Sequence, residues 1–320
     1  MQRAHVFIHQ GSSWYLPYTL KTCLKSDPET PVILMGDKDV VPKVVFSPMK
    51  DYGQGAEVQE FNRRYLHLST NAEHYELFCY QRWFYLLDHM KRHGLDAVLY
   101  HDTDVIFLST MDEVRELYGE DLAYAAVCTF PPAEGTPLGP KQSMSGHSSY
   151  WTREALQDFC DFLLDAYTDE GMRSELTDVY RRYRELHPSG GICDMTLIAY
   201  FVERSARPIG NLLQIKRDCV FDHGVHVSDG AELGQFQMED GRKIIRKREG
   251  GYYFIRQADG KPIRALAIHF QGGNKKLIHD YYRGNFHWKK FRKDLTGCFP
   301  TFSFLKNAEK KLRDARKHSS

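Results

Sequence analysis

An apolar, strand-like segment that is interrupted by two aspartates most constrains how this chain can fold. Residues 98–108 read Val-Leu-Tyr-His-Asp-Thr-Asp-Val-Ile-Phe-Leu, and Asp102 and Asp104 stand at the interruption. Burying two neighbouring carboxylates costs free energy unless a cation or hydrogen-bond donors compensate their charge. Residues two apart in an extended chain point to the same side. The segment therefore predicts either a site for a hard divalent cation or a strand that ends in a polar turn.

The start of the chain alternates between strand-like and helix-like patterns. Residues 5–9 and 30–37 are short apolar runs typical of buried strands, and residues 15–24 between them have helical spacing. This order predicts an α/β fold with a parallel sheet. Ligands of such sheets bind at the carboxyl ends of the strands, and both Asp37 and the turn at 10–13 follow a strand.

The remaining patterns define one large domain and a tail. Helical spacing covers residues 73–93, and a further helix begins at Asp194. From 216 to 265, short alternating segments are separated by Asp-Gly and Gly-Gly pairs, which are typical of β-hairpins. We expect residues 1–280 to form a single domain that contains this hairpin-rich insertion, followed by a basic, aromatic C-terminal extension at 281–320.

The charge distribution is uneven along the chain. Residues 241–320 contain 21 Lys and Arg against 6 Asp and Glu, although all 320 residues together have a net charge of only +1. A basic C-terminal part favours an anionic partner, such as phosphate groups or the surface of a membrane.

Cysteine usage and hydropathy predict the compartment. The seven cysteines are scattered and form no Cys-x-x-Cys pair, which favours free thiols in a reducing environment. Neither a signal-peptide pattern nor a membrane-spanning apolar stretch is evident. These features predict a cytoplasmic protein, with peripheral membrane contact through the basic C-terminus as a further possibility.

A second polar segment follows the last predicted strand. Residues 265–270 are apolar and run into Gln-Gly-Gly-Asn-Lys, with His269 near the end of the strand and Lys275 after the glycines. Two glycines let the backbone approach a ligand, and a lysine supplies a point charge suited to phosphate. A neutral imidazole can complete a coordination sphere begun by carboxylates. Alone, such a histidine is more often structural; together with Asp102 and Asp104 it predicts one site for a divalent metal and a diphosphate.

Three motifs in this order resemble those of nucleotide-sugar glycosyltransferases with the Rossmann-like GT-A fold. They are the Asp-Thr-Asp of 102–104, the Gly-Gly-x-x-Asp of 190–194 and the His-Phe-x-Gly-x-x-Lys of 269–275, and a small polar segment around His147 lies between them. The most similar group is that of glycogenin and the bacterial galactosyl- and glucosyltransferases, over roughly residues 4–280. The resemblance implies a GT-A domain with a mixed sheet.

The same resemblance implies a metal-dependent hexosyltransferase, expected to retain the anomeric configuration. It would move a sugar from a nucleotide diphosphate donor, expected to be a UDP-sugar, to a hydroxyl of a glycan, a lipid-linked saccharide or a protein. No nucleic-acid partner is implied. The side chains expected to bind Mn2+ or Mg2+ are Asp102, Asp104 and His269.

Other residues are candidates for catalysis or for donor binding. Lys275 suits the diphosphate leaving group, Asp194 suits the reacting sugar or the acceptor hydroxyl, and Arg82 suits the sugar or the diphosphate. The plainer interpretations are a helix N-cap for Asp194 and a packing or surface arginine for Arg82. The expected donor-binding residues are His9, Gln10, Gly11, Asp37, Asp102, Thr103, His147, Gly272, Gly273 and Lys275.

Two other kinds of function remain open at this stage. A phosphohydrolase or nuclease could use the same acidic pair, although such enzymes usually gather more carboxylates around two metal ions. A non-catalytic module that binds nucleotide sugars or glycans would also fit the motifs.

Overall fold

A computed structural model describes residues 1–130 and 144–283 of the chain. Met1–Ile278 forms one compact unit, and a second unit begins at His279. The basic extension predicted at 281–320 and the Pro/Gly-rich segment that begins at 131 therefore lie largely outside the described residues.

The described residues form alternating strands and helices. The strands are β1 (Arg3–His9), β2 (Val32–Gly36), β3 (Val45–Pro48), β4 (Ala97–His101), β5 (Val105–Phe107), β6 (Ala125–Cys128), β7 (Ser145–Thr152), β8 (Ile209–Asn211), β9 (Cys219–Phe221), β10 (Met238–Glu239), β11 (Arg242–Lys243), β12 (Ile245–Arg248), β13 (Gly251–Ile255) and β14 (Pro262–His269). The helices are α1 (Leu16–Ser26), α2 (Ala56–Arg64), α3 (Glu73–His93), α4 (Met111–Tyr118), α5 (Arg153–Thr168), α6 (Glu170–Leu186), α7 (Asp194–Arg204) and α8 (Ile278–Arg283).

The main sheet is mixed, which confirms the predicted fold class. Its strand order is β3-β2-β1-β4-β7-β6-β8. β1 pairs in parallel with both β2 and β4, whereas β7 runs antiparallel to its neighbours β4 and β6. The carboxyl ends of β1, β2 and β4 therefore lie along one edge of the sheet.

Both faces of this sheet are covered, because alternate side chains of each strand enter different apolar clusters. Val98 and Tyr100 of β4 pack with α3, α5 and α7 on one face, and Leu99 packs with α1 and α4 on the other. Strands buried on both sides have nearly continuous apolar sequences, which is why these strands could be predicted from the sequence. α3 occupies exactly the predicted range and ends at Gly94, whose φ of +64° is the left-handed conformation of a helix C-cap.

A second sheet joins the end of the chain to the strand after the acidic pair. It contains β12-β13-β14-β5, and β9 pairs in parallel with β14. The predicted Asp-Gly hairpin is confirmed at 240–241, where Asp240 and Gly241 have φ of 52° and 70° between β10 and β11.

The segment around His147 departs from the sequence-based expectation. Its small, polar residues did not predict a strand, but it forms β7, which is buried inside the main sheet. The small residues are needed there, because a Cβ on Gly146 would lie 2.8 Å from the indole of Trp83. Packing against neighbouring strands thus overrides the low strand propensity of serine and glycine.

Among the described residues, no helix combines the length and the apolar character required to cross a lipid bilayer. The six described cysteines are free thiols, as predicted from their scattered positions.

Gly191 allows two backbone segments to approach closely, so we expect Gly191→Ala to destabilise the fold. Ile192 N donates to Leu68 O at 2.8 Å, and a Cβ on Gly191 would clash with that carbonyl oxygen and lie 2.5 Å from Ser69 Cα. Overpacking of this kind costs about 1–3 kcal/mol, which urea unfolding would measure. The control is Gly273→Ala, whose Cβ would meet nothing within 4 Å and whose effect should stay within about 0.5 kcal/mol. Equal losses of unfolding free energy in Gly191→Ala and Gly273→Ala would contradict the close approach of the two backbone segments.

Candidate active site

Two aspartates and a histidine from distant parts of the chain lie close together. One ligand atom from each of Asp102, Asp104 and His269 lies within 4.8 Å of the other two. Asp104 and His269 are buried, and Asp102 is partly exposed. Within residues 1–130 and 144–283, no other group of histidine, cysteine and acidic side chains has the spacing of a metal site. The structure thus brings together the three side chains that were predicted to bind metal.

Strand pairing explains why these residues meet. β4 ends just before Asp102 and β5 begins just after Asp104, so both aspartates lie in the turn between two strands. β14 runs antiparallel to β5 and pairs His269 with Val105. The Phe270 N–H donates to the carbonyl oxygen of Asp104 at 3.0 Å and extends this pairing. The histidine is therefore a backbone neighbour of the second aspartate.

Two cationic neighbours keep Asp104 ionised. Its Oδ1 lies 3.4 Å from Nε2 of His269, and its Oδ2 lies 3.2 Å from Nζ of Lys275. Burial opposes ionisation, but the hydrogen bond and charge of His269, together with Lys275, lower the pKa of Asp104 to about 2. Burial also opposes protonation of His269, yet Asp104 raises the pKa of this imidazole above its ordinary value. In this arrangement, one carboxylate is balanced by an imidazolium and an ammonium.

Arg82 of α3 joins Asp102 to Asp194. Its Nη1 donates to Oδ1 of Asp102 at 2.8 Å, and its Nη2 donates to Oδ2 of Asp194 at 2.6 Å. The Tyr100 hydroxyl also donates to Oδ1 of Asp102 at 2.8 Å, so neither donor engages Oδ2 of that aspartate. Because the guanidinium is largely buried between two carboxylates, Arg82 is part of the site and is not a surface arginine.

Asp194 begins α7, but the interpretation as its N-cap is wrong by one residue. The N-cap position is Cys193. The buried carboxylate of Asp194 instead accepts hydrogen bonds from Arg82 and, at 3.0 Å, from Nε1 of Trp83. This carboxylate is therefore held in one orientation beside the acidic pair.

His147 of β7 packs against His269 of β14 from the main sheet. Its ring stacks on that of His269 with centroids 4.1 Å apart and an interplanar angle of 14°. Its Nε2–H donates to the carbonyl of Asp222, and its Nδ1 accepts from the Ser145 hydroxyl, each at 2.7 Å. Burial, followed by the charge of His269, holds the pKa of His147 well below its ordinary value. Both nitrogens of this predicted donor-binding residue are thus engaged within the protein.

Three residues that were not predicted from the sequence lie on the side of His269 that faces away from Asp104. The Asp222 carboxylate accepts from the His269 backbone N–H at 3.1 Å, and the His223 carbonyl accepts from Nδ1–H at 2.8 Å. The buried Lys243 donates to Asp222 at 2.6 Å. Asp222 follows the apolar strand β9, which is the same signal that singled out Asp37. Nothing in the pattern around Lys243 distinguishes it from any other lysine of a hairpin.

The predicted donor-binding residues of the first loop line the same edge of the sheet. Nδ1 of His9 lies 3.1 Å from Oγ1 of Thr103, and its buried Nε2 has no hydrogen-bond partner among the described residues. The Gly11 N–H donates to Oδ2 of Asp37 at 2.6 Å, which ties the loop to the end of β2. Gln10 and Gly11 are exposed. A buried nitrogen without a partner is the kind of group that a ligand can satisfy.

The segment after His269 leaves room beside its backbone. Gly272–Leu277 forms a short 3₁₀ helix, and Gly272 has a φ of +60°. A Cβ at Gly272 or Gly273 would meet no heavy atom within 4 Å. Nζ of Lys275 lies 5.5 Å from the centroid of the Tyr15 ring. Open space, glycine backbone and an ammonium group are what a bound diphosphate requires.

The donor set fits a hard divalent cation. Carboxylate oxygens and a neutral imidazole are ligands of Mn2+, and carboxylates also suit Mg2+. Because Nδ1–H of His269 donates to the carbonyl of His223, the neutral imidazole presents the lone pair of Nε2 towards Asp104. Asp102, Asp104 and His269 would therefore hold the cation.

Solved glycosyltransferase structures are among those similar to this chain. Mouse xyloside xylosyltransferase 1 is 11% identical, with 66% of this chain and 85% of that chain covered and a TM-score of 0.42. The PaToxG glycosyltransferase is 11% identical, with 63% and 70% covered and a TM-score of 0.37. LgtC, in a galactosyltransferase structure with donor and acceptor sugar analogues, is 12% identical, with 62% and 69% covered and a TM-score of 0.30.

At such identities the likeness concerns the fold alone. No protein-family model and no curated protein matches the chain.

Because Arg82 neutralises two carboxylates, we expect Arg82→Met to leave two uncompensated negative charges and to destabilise the protein. Breaking a largely buried ion pair from one side costs about 3 kcal/mol or more, which urea unfolding would measure. The matched control is Arg181→Met, which removes an exposed pair with Asp178 on α6 and should cost less than about 1 kcal/mol. Adding Asp194→Asn to Arg82→Met should recover part of the loss. If Arg82→Met were no more harmful than the control, the bridging role would be refuted.

Proposed function

We propose that this protein is a metal-dependent glycosyltransferase that uses a nucleotide diphosphate sugar as its donor. UDP-sugars are the first donors to test. The observation that carries this proposal is the meeting of Asp102, Asp104 and His269 at the carboxyl edge of the main sheet. The glycine segment with Lys275 lies next to this group, as a metal-bound diphosphate would need. The acceptor would be a hydroxyl of a glycan, a lipid-linked saccharide or a protein.

The residues of the chain divide the work of breaking a sugar–phosphate bond. A bound Mn2+ or Mg2+ would supply Lewis-acid stabilisation of the departing nucleoside diphosphate. Lys275 adds a second positive charge where the leaving group develops its negative charge. The backbone of Gly272 and Gly273 borders the open space for the phosphates. His9, Gln10, Gly11 and Asp37 would hold the base and the ribose.

Asp194 and Arg82 would act on the transferred sugar. The Asp194 carboxylate is held by a guanidinium and an indole N–H, so its direction is set before a substrate arrives. A carboxylate fixed in this way suits orienting and stabilising a reacting hexose, the role that it would have in the retaining transfer implied by the motif resemblance. Arg82 keeps Asp194 and Asp102 at a constant separation, so its guanidinium would position both the sugar and the diphosphate.

We expect Asp102→Asn and Asp104→Asn each to abolish metal-dependent donor binding and to lower transfer by about 100-fold or more, since several kcal/mol of charge stabilisation are lost. A thermal-shift screen of UDP-, GDP-, CMP- and dTDP-sugars with and without Mn2+ measures binding, because a ligand of the native state raises its stability. Donor hydrolysis and transfer are then assayed with the nucleotide that shifts the melting temperature.

The control variant for this series is Asp112→Asn, which alters a highly exposed carboxylate on α4 and should leave both readouts unchanged. Intact hydrolysis and transfer in Asp102→Asn and Asp104→Asn would overturn the proposal. Release of inorganic phosphate or cleavage of nucleic acid without binding of any sugar nucleotide would point to a phosphohydrolase or nuclease. Tight donor binding without turnover on any acceptor would point to a binding module.

We expect the affinity for Mn2+ to rise with pH and then to level off. Asp104 raises the pKa of His269, so its Nε2 must lose a proton before it can bind a metal. Below that pKa, each unit of pH decrease should weaken binding about tenfold, and above it the affinity should be constant. Asp104 does not contribute in this range, because its pKa of about 2 keeps it ionised. Calorimetry in buffers of different ionisation enthalpy would show the release of one proton, and a flat profile would contradict it.

A further inference from the structure

The polar atoms of His269 that face away from Asp104 all bond to one short segment, residues 222–225. Its backbone N–H donates to Oδ2 of Asp222 at 3.1 Å, and its Nδ1–H donates to the carbonyl of His223 at 2.8 Å. Its carbonyl accepts from the Val225 N–H at 3.1 Å. Only Nε2 is left to face the carboxylate of Asp104. The direction of that nitrogen is therefore determined by the position of this segment.

A buried lysine from the hairpin region anchors the segment at both ends. Nζ of Lys243 donates to Oδ1 of Asp222 at 2.6 Å, and its backbone N–H donates to the carbonyl of Val225 at 2.7 Å. Nζ also donates to the carbonyl of Asp229 at 3.0 Å. The side chains of Lys243 and Asp222 are both fully buried.

Burying this ion pair costs free energy, which indicates that the pair has a role beyond packing. Removing an ammonium and a carboxylate from water is expensive, and apolar side chains of similar size often stabilise a fold as well. What an ion pair adds is a defined geometry. The two oxygens of Asp222 connect the ammonium of Lys243 directly to the backbone of His269. Hydrogen-bond partners behind a metal-binding histidine set its tautomer and its orientation.

We propose that Lys243, through Asp222, is a positioning residue that aims Nε2 of His269 at the bound cation. The hairpin region 216–265 would then hold residues 222–225, to which His269 is hydrogen-bonded, in place. This inference rests on the proposed function for the identity of the cation. The competing explanation is that Lys243 only stabilises the hairpins, in which case its loss would lower stability without changing the affinity for metal.

Lys243→Met in the full chain tests this proposal, because methionine is also unbranched and only one atom shorter, and it removes the charge. We expect Mn2+ to bind about 10- to 100-fold more weakly, measured by titration calorimetry at a temperature where circular dichroism shows the variant folded. The matched control is Ile263→Ala, which opens a cavity at a fully buried position of β14 and lowers stability. Its affinity for Mn2+ should equal that of the wild type.

Asp222→Asn provides a second variant if Lys243→Met does not fold. An amide has one acceptor oxygen where a carboxylate has two, so it can serve the ammonium of Lys243 or the N–H of His269 but not both. We expect a weaker effect in the same direction, a loss of several-fold in Mn2+ affinity. Wild-type affinity in a folded Lys243→Met or Asp222→Asn variant overturns the inference.

The tautomer of His269 gives a readout that does not depend on metal or on turnover. Nitrogen chemical shifts of the imidazole in the metal-free protein are recorded at a pH above the raised pKa of His269, where the ring is neutral. They should show the remaining proton held on Nδ1 in the wild type and in Ile263→Ala. In Lys243→Met or Asp222→Asn, we expect a mixture of tautomers, and an unchanged spectrum would overturn the inference. A wild type that binds no Mn2+ would instead overturn the proposed function, and the nitrogen spectra would still decide the role of Lys243.

Discussion

The antiparallel pairing of β14 with β5 is the contact on which the site depends. It places His269 opposite Val105 and extends through the bond from the Phe270 N–H to the Asp104 carbonyl. The carboxylates come from the turn after β4, in the middle of the main sheet, and the imidazole comes from a second sheet built late in the chain. A shift of one residue in this pairing would turn His269 to the other face of β14, because side chains alternate along a strand.

Charge balance is the second constraint, since Asp102, Asp104, Asp194 and Asp222 each contact at least one cationic side chain. Arg82 lies between Asp102 and Asp194, Lys275 and His269 face Asp104, and Lys243 faces Asp222; the contacts are direct in every case. Charges that leave water must be paired and hydrogen-bonded to be tolerated. The arrangement keeps anionic groups at the edge of an apolar sheet, where the proposed function requires a cation and a diphosphate.

Most of the fold could be predicted from the sequence because its strands are buried on both faces. The apolar runs at β1, β2 and β4, the helical spacing of α3 and the Asp-Gly hairpin at 240–241 all agree with the structure. β7 was not predicted, because serine and glycine are poor strand formers. A small residue is required at Gly146 only by the packing of Trp83 against it. The N-cap interpretation of Asp194 failed because a local rule was applied to a side chain whose partners, Arg82 and Trp83, are distant in sequence.

The sequence by itself determined the α/β class and the three motifs, since apolar periodicity and carboxylates at strand ends are local properties of the chain. It could also predict that Asp102, Asp104 and His269 belong together, because carboxylates and an imidazole complete one another as ligands of a divalent cation. Only the tertiary structure decided which cation pairs with which carboxylate, and that Lys243 is connected to His269 through Asp222. Those partners depend on the register between strands and on which side chains are withdrawn from water, and neither is encoded in any short stretch of sequence.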